Sequence, residues 1–269
     1  MGAKKVVSKT GLPDNSNLES FDLTVVMPAL NEEIPIRLAM TNTLDAFDEF
    51  GIRGEIIVVN DGSTDKTRSV VEKEMGHNPL IRLVNHETPM GVGYSFWDGF
   101  DHAKGEAICM MPGDNENDPG ELFRYFHLLE HVDMVIPFVF NKYIRSRIRN
   151  ALSSTYLFVI NRSFAMNLNY TNGTVLYRSA ILKDLPCRTH GFFFQTDILI
   201  RLLKKGYLFA EVPYRLNERR EGVSKAVSFR SLSQVAKGYF RLLTDVYGGS
   251  GTSDSDFAPN SLTRDRKKA

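Results

Sequence analysis

The chain has 269 residues, of which 42% are hydrophobic and 24% charged, and its formal net charge is +1. That length and apolar share suit one large α/β domain with an appendage, and so even a charge balance argues against a nucleic-acid binder, which carries a strong basic excess. Cys109 and Cys187 are the only cysteines and lie far apart, which argues against a disulfide scaffold and leaves buried free thiols as the expectation.

Residues 1–20 are polar and lack an apolar signal region, so they read as a flexible tail. No run of 18 or more apolar residues occurs, so no bilayer span is expected. The expected location is the cytoplasm, either free or peripheral on the cytoplasmic face of the membrane. From there the chain alternates. Leu23–Met27 is a short β-branched run ending at Pro28, and Asn31-Glu32-Glu33 reads as a helix entry, since acids favour that end. Residues 34–50 place Ile36, Leu38, Ala39, Leu44 and Phe47 at helical spacing. Glu55–Val59 is a second strand that ends at Asn60-Asp61-Gly62-Ser63. A helix follows over 64–75, a third strand over Ile81–Val84 and a helix over Gly91–Lys104. A fourth strand over Ala107–Met111 runs into the acidic loop 112–118. Strands alternating with helices predict right-handed βαβ units and a parallel sheet. The second half is less regular. Residues 143–165 mix arginines with apolar residues, Thr174–Tyr177 is strand-like, 192–205 helical and 207–213 a further strand. Residues 227–247 form an amphipathic helix with Phe229, Leu232, Val235, Tyr239, Leu243 and Val246 on one stripe. The Gly/Ser/Asp-rich tail over 248–269 is expected to be disordered.

Three polar clusters, at 28–33, 60–65 and 112–118, each follow the carboxyl end of a predicted strand. In open α/β sheets that rim is where ligands bind, so the three should converge on one site.

Pro28-Ala29-Leu30-Asn31-Glu32, Val58–Asp65, Gly91-Val92-Gly93, the acidic loop, Phe194-Gln195-Thr196-Asp197 and Glu211-Val212-Pro213 occur in an order that resembles family 2 glycosyltransferases of the GT-A fold. Within that family the chain looks most like the dolichyl- and polyprenyl-phosphate mannose and glucose synthases. The resemblance covers roughly residues 22–245. It implies a Rossmann-like α/β domain, here 21–225, with a mostly parallel central sheet flanked by helices. It further implies an inverting hexosyl transfer from a GDP-mannose- or UDP-glucose-type donor to a polyprenyl phosphate.

The chemistry accounts for the residue types. A departing nucleoside diphosphate concentrates negative charge, and a hard divalent cation, Mg²⁺ or Mn²⁺, held by carboxylate oxygens can neutralise it. Asp114 and Glu116 alternate along their loop and in an extended chain would face one side. By resemblance Asp114 matches the second acid of the family's Asp-x-Asp motif, and Glu116 a further metal-side position. Pro112 stands where that motif has its first Asp, with Asn115, Asn117 and Asp118 as candidates to compensate. The resemblance places Asp61 on the base or ribose, with Pro28, Ala29, Asn31, Glu32, Gly62, Ser63, Gly91 and Gly113 around the donor. It places Asp197 and Gln195 at the reacting centre, where a carboxylate serves as general base for a hydroxyl acceptor and as an organising group for a phosphate. Arg219, Ser224 and Lys225 form an acceptor-side loop suited to phosphate oxygens. Arg145, Arg147 and Arg149 read equally as a phosphate or anionic-lipid site and as a solvated helix face. The six histidines lack metal-ligand spacing and read as surface or capping residues. The 227–247 helix either packs on the catalytic domain, the favoured reading, or lies on a membrane. Two rival functions stand beside the main one: transfer to a sugar hydroxyl in glycan assembly, and a non-catalytic nucleotide-sugar binder. Oligomeric state is open.

Overall fold

The structure, a computed structural model, describes residues 21–141, 143, 147–216, 229–248 and 257–268. In chain order, β1 (Phe21–Ala29), α1 (Ile36–Phe50), β2 (Gly54–Asp61), α2 (Thr67–Met75), β3 (Ile81–His86), α3 (Val92–His102) and β4 (Gly105–Met110) form the regular first half. Then come α4 (Pro119–Phe123), a 3-10 turn (Phe126–Glu130), β5 (Met134–Val139), α5 (Arg147–Phe164), β6 (Leu176–Arg178), α6 (Ser179–Lys183), α7 (Phe194–Lys205), β7 (Phe209–Tyr214), α8 (Phe229–Gly248) and α9 (Leu262–Lys268). The strands make one sheet in the order β3-β2-β1-β4-β6-β5-β7. All neighbours are parallel except β6, which runs antiparallel to both β4 and β5. This is the mostly parallel α/β sheet that the sequence predicts.

Strand alternation divides the interior into two cores. Val26, Ile57, Val59, Ile108, Met110 and Met134 point to the face covered by α3, α5, α6 and α7. Their neighbours Val25, Met27, Ile56, Val58, Ala107, Cys109 and Val135 point to the face covered by α1, α2 and α4. Because both faces are covered, β2 is buried along its whole length and reads as a continuous apolar run. Glu55, the acid near its start, is fully buried. It accepts bonds from the Thr24 hydroxyl (2.8 Å) and the Lys104 N–H (2.7 Å) and pairs with Arg82 (3.1 Å). Burial pushes the Cys109 thiol well above its ordinary range, and burial also raises that of Cys187; both are free.

The C-terminal helix packs inward. Leu242 is fully buried, with Val235, Tyr239, Leu243 and Val246 against the same core, and a Cβ at Gly238 would meet the Phe193 ring at 2.8 Å. Leu232, assigned to the inward stripe, is instead 58% exposed, one turn beyond the reach of the core. The expectation of disorder over 248–269 fails for 257–268. Phe257 and Ala258 are buried beside Tyr207, and Asp133, itself fully buried, accepts the N–H groups of Leu262 (2.7 Å) and Thr263 (3.1 Å) and the Thr263 hydroxyl. A carboxylate on two N–H groups of the first helical turn is a strong cap for α9.

Candidate functional site

The loops after β1 and β2 are laced together by side chains. Asn31 sits in the left-handed region (φ 57°), where its side-chain oxygen accepts the Thr64 N–H (2.8 Å), while its own N–H donates to Ser63 Oγ (2.9 Å). The Glu32 N–H donates to Thr67 Oγ1 (2.8 Å), the Glu33 N–H to Asp65 (3.1 Å), and Glu33 in turn accepts the Lys66 N–H (2.9 Å). Burial disfavours the Asp65 carboxylate, but its bonds from Thr67 and Glu33 outweigh that and hold its pKa below the ordinary value. Asn31–Glu33 is therefore not the helix entry that the sequence suggests. α1 begins at Ile36 behind Pro35 with no side-chain cap, and the acids cross-tie two loops instead.

Asp61, the last residue of β2, is buried and holds the next loop in place. Its carboxylate accepts the N–H groups of Met90 (2.7 Å) and Gly91 (2.8 Å) and a bond from His86 Nδ1 (2.7 Å). His86 ends β3, directly opposite Asp61 in the ladder, and its Nε2 meets Asp98 on α3 at 2.9 Å. Burial opposes its charge, yet the bonds to Asp61 and Asp98 prevail and raise its pKa. Two carboxylates facing the two ring nitrogens call for a donor on each, which is the imidazolium. Gly91 (φ 97°) and Gly62 (φ 71°) adopt backbone that side chains rarely take, and a Cβ on Gly62 would meet the Thr88 backbone at 2.6 Å. His86 is thus no surface residue; its side chain is 8% exposed. His77, His102 and His127 do behave as the sequence suggests, each ring bonding a carbonyl of its own turn.

The acidic loop leaves β4 alongside β1. Met111 and Gly113 donate to the Val26 and Pro28 carbonyls (both 2.9 Å), so Pro112 sits between two ladder bonds and its missing N–H breaks neither. Pro28 and Ala29 form the buried end of β1 beneath this loop. Asp114 closes a tight turn by accepting the Glu116 N–H (3.0 Å), and Asn115 takes the left-handed conformation at its apex (φ 57°). Asp114 and Glu116 are both half-buried, two residues apart on this turn. The candidates to compensate for Pro112 are otherwise engaged. Asn115 accepts from Asn42 (3.0 Å), Asp118 caps α4 through the Gly120 N–H (2.9 Å), and Asn117 accepts from the Tyr214 hydroxyl (3.4 Å). Among the described residues no group of three His, Cys, Asp or Glu side chains could hold a metal ion. A hard cation of the Mg²⁺ type is nevertheless commonly held by one or two carboxylates, with phosphates and waters completing its shell. Two carboxylates on one turn fit such a substrate-completed site.

Beside the loop lies a cleft of about 100 Å³, with Pro112, Asn117, Asn172, Thr174, Gln195 and Tyr214 in its wall. Gln195 donates to the Gly173 carbonyl (2.7 Å), fixing its amide at the cleft edge. Asp197, two residues on and so on another side of α7, is 2% exposed and pairs with Arg201 (3.0 Å), whose other arm reaches Asp245 on α8 (2.6 Å). Arg219, Ser224 and Lys225, the predicted acceptor loop, and Arg145 lie outside the described residues. Arg147 and Arg149 are exposed on α5.

Residues 24–194 match the family described as Glycosyl transferase family 2. The chain belongs to glycosyltransferase family 2. Among curated proteins, this family 2 chain is 29% identical over 175 residues to dodecaprenyl-phosphate galacturonate synthase of Rhizobium johnstonii, covering 64% of itself and 52% of that protein. It is 24% identical over 249 residues to the undecaprenyl-phosphate 4-deoxy-4-formamido-L-arabinose transferase of Shewanella sediminis, covering 87% of itself and 72% of that protein. The chain thus spans between about half and three quarters of these relatives' length. Among solved structures it resembles the glucosyl-3-phosphoglycerate synthase of Mycobacterium tuberculosis, crystallised with Mn²⁺, UDP and its product. The TM-score is 0.63 and the identity 18%, over 86% of this chain and 82% of that one. That likeness confirms the fold.

Against this family background, the sequence missed His86, Asp98 and the cleft residues Asn172 and Tyr214. His86 carries a signal. It follows the third predicted strand, so it belongs to the same rim as the three clusters. Asn172 and Tyr214 carry none, because only the antiparallel strand β6 and the β5–β7 pair bring them to Pro112.

Proposed function

We propose that this family 2 chain transfers a hexose-type sugar from a nucleoside-diphosphate sugar to a polyprenyl phosphate, with inversion at the anomeric carbon. Residues 21–225 would form the catalytic domain, working with Mg²⁺ or Mn²⁺ on the side of the membrane where nucleotide sugars occur. The names of the curated relatives, both polyprenyl-phosphate sugar transferases, support the acceptor class.

The observation that carries the choice of acceptor is the chemistry of the cleft. Among the described residues its wall contains no carboxylate and no imidazole, and Asp197 is buried in an ion pair with Arg201. A sugar hydroxyl needs a base to take its proton as it attacks. A phosphate oxygen arrives anionic and needs none. In the proposed reaction an acceptor phosphate oxygen bonds the anomeric carbon while that carbon's bond to the donor's terminal phosphate oxygen breaks. The electron pair leaves with the nucleoside diphosphate. Asp61 and the Met90–Gly91 turn shape the nucleotide end, and Gln195 orients groups in the cleft. A divalent cation on Asp114 and Glu116 would supply charge neutralisation for the leaving diphosphate. Arg219, Ser224 and Lys225 are assigned to the acceptor phosphate by resemblance.

The test is incubation with radiolabelled GDP-mannose, UDP-glucose and UDP-galacturonate, with Mn²⁺ or Mg²⁺ and a polyprenyl phosphate. Labelled lipid is the expected product. Transfer to a glycan hydroxyl alone would overturn the acceptor, and metal-dependent nucleotide binding without turnover or donor hydrolysis would overturn catalysis.

A further inference from the structure

We propose that the outer face of α5 docks the protein on an anionic bilayer surface. The first observation is one of charge. Residues 134–183, fifty in a row, contain no Asp or Glu but seven Lys or Arg, in a chain whose total charge is nearly balanced. The second is exposure. α5 buries only Ile160 and Phe164, while Ile148 (75% exposed), Leu152 (59%), Phe158 (68%) and Val159 face outward. Ile148, Leu152, Thr155 and Val159 fall at helical i, i+4, i+7, i+11 spacing, a continuous stripe, with Phe158 beside it. Arg147 and Arg162, both exposed, stand at its two ends.

Apolar side chains left in water over so long a helix mark a surface that something covers. The flanking cations and the missing acids select an anionic cover. Arginine stems can lie along apolar groups while their guanidinium groups reach lipid phosphates. The inner face of α5 leads back to the cleft. The Tyr156 hydroxyl bonds Thr196 Oγ1 (2.8 Å), and Thr196 bonds Asn172 in the cleft wall (3.1 Å). A bilayer on the outer face would therefore lie one helix away from the proposed acceptor site. The docking itself does not depend on the transfer reaction.

The test is co-sedimentation of the full chain with phosphatidylcholine vesicles, alone and mixed with phosphatidylglycerol. The mixed vesicles should bind the chain and release it in high salt. Arg147→Glu with Arg162→Glu should weaken partition at least about tenfold, since each cation near such a surface contributes on the order of 1 kcal/mol. Ile148→Ser with Leu152→Ser should weaken it similarly, while Leu38→Ser, an exposed apolar residue on α1, should not. Binding of UDP or GDP with Mn²⁺ and the melting temperature serve as controls and should be unchanged in all variants. Failure of docking thus stays separate from failure of the transferase reading. Equal binding to both vesicle types, binding to neither, or concentration-dependent dimerisation abolished by Ile148→Ser with Leu152→Ser in lipid-free buffer would each overturn the proposal.

Discussion

The rim between β1 and the 112–118 loop and the surface around α5 treat charge in opposite ways. On the rim, acids are numerous and most hold the loops in place. Asp61 pins a loop, Asp65 and Glu33 cross-tie two others, Asp114 closes a turn and Asp118 caps a helix. Around α5 there are no acids for fifty residues, and apolar side chains point outward. The contrast teaches that a chain with a net charge of +1 can still present two electrostatically distinct sides. One concentrates carboxylates for a cation and a diphosphate, and in the other the chain from 134 to 183 supplies none. Net charge conceals this, because it is a sum.

The comparison can be broken most decisively at the rim. Asp114→Ala should lower kcat for transfer by about 10²–10³-fold and weaken Mn²⁺ dependence, because a metal-assisted leaving group is worth several kcal/mol. Steady-state assays across a Mn²⁺ titration read both, and an unchanged kcat would remove the metal from this loop. Next in size is Asp197→Asn. Neutralising one member of a buried pair leaves Arg201 partly uncompensated and should cost about 3 kcal/mol in urea unfolding, with only a few-fold loss of kcat. A loss of at least about 100-fold with intact stability would instead restore Asp197 as a base for a hydroxyl acceptor.

Smaller effects sharpen the picture. His86 has a raised pKa in the folded state, so the stability that its charge contributes is fully present below about pH 6.5, its ordinary value, and is lost as pH climbs through the raised one. Nucleoside-diphosphate affinity should fall several-fold over the same window as the Asp61 loop loosens. His86→Gln should flatten that profile; calorimetry from pH 6 to 9 checks it. The smallest change expected is from Pro112→Asp. It supplies the acid that the family motif has at this position and should tighten Mn²⁺ binding a few-fold, because the Pro112 nitrogen holds no ladder bond whose geometry could be upset.

β1 and β2 were legible because burial on both faces demands apolar, β-branched runs, β3 and β4 as short apolar runs between helical patterns, and the strand ends then located the rim. The second half was not. β5 contains Pro137, which disguises a strand, and β6 is three residues long. Asp197 carried a local hint in Arg201 four residues on, but the extension to Asp245 is a contact between helices that spacing cannot reveal. His86 was misread because its two carboxylate partners come from other elements. The tail was judged by composition, and composition does not register Phe257 seated beside Tyr207 or a helix capped from Asp133.

Asp133 also dictates an order of assembly. Its carboxylate lies at the start of an interior strand, sealed from water, and apart from a long bond from the Leu208 N–H (3.4 Å) the groups that satisfy it arrive about 130 residues later in the chain. Until that segment arrives, closing the sheet around β5 would strand a desolvated acid at a penalty of a few kcal/mol. Closure of this half is therefore expected to need the segment around Leu262 and Thr263, and a chain cut short before Leu262 is expected to stay open and bind a hydrophobic dye.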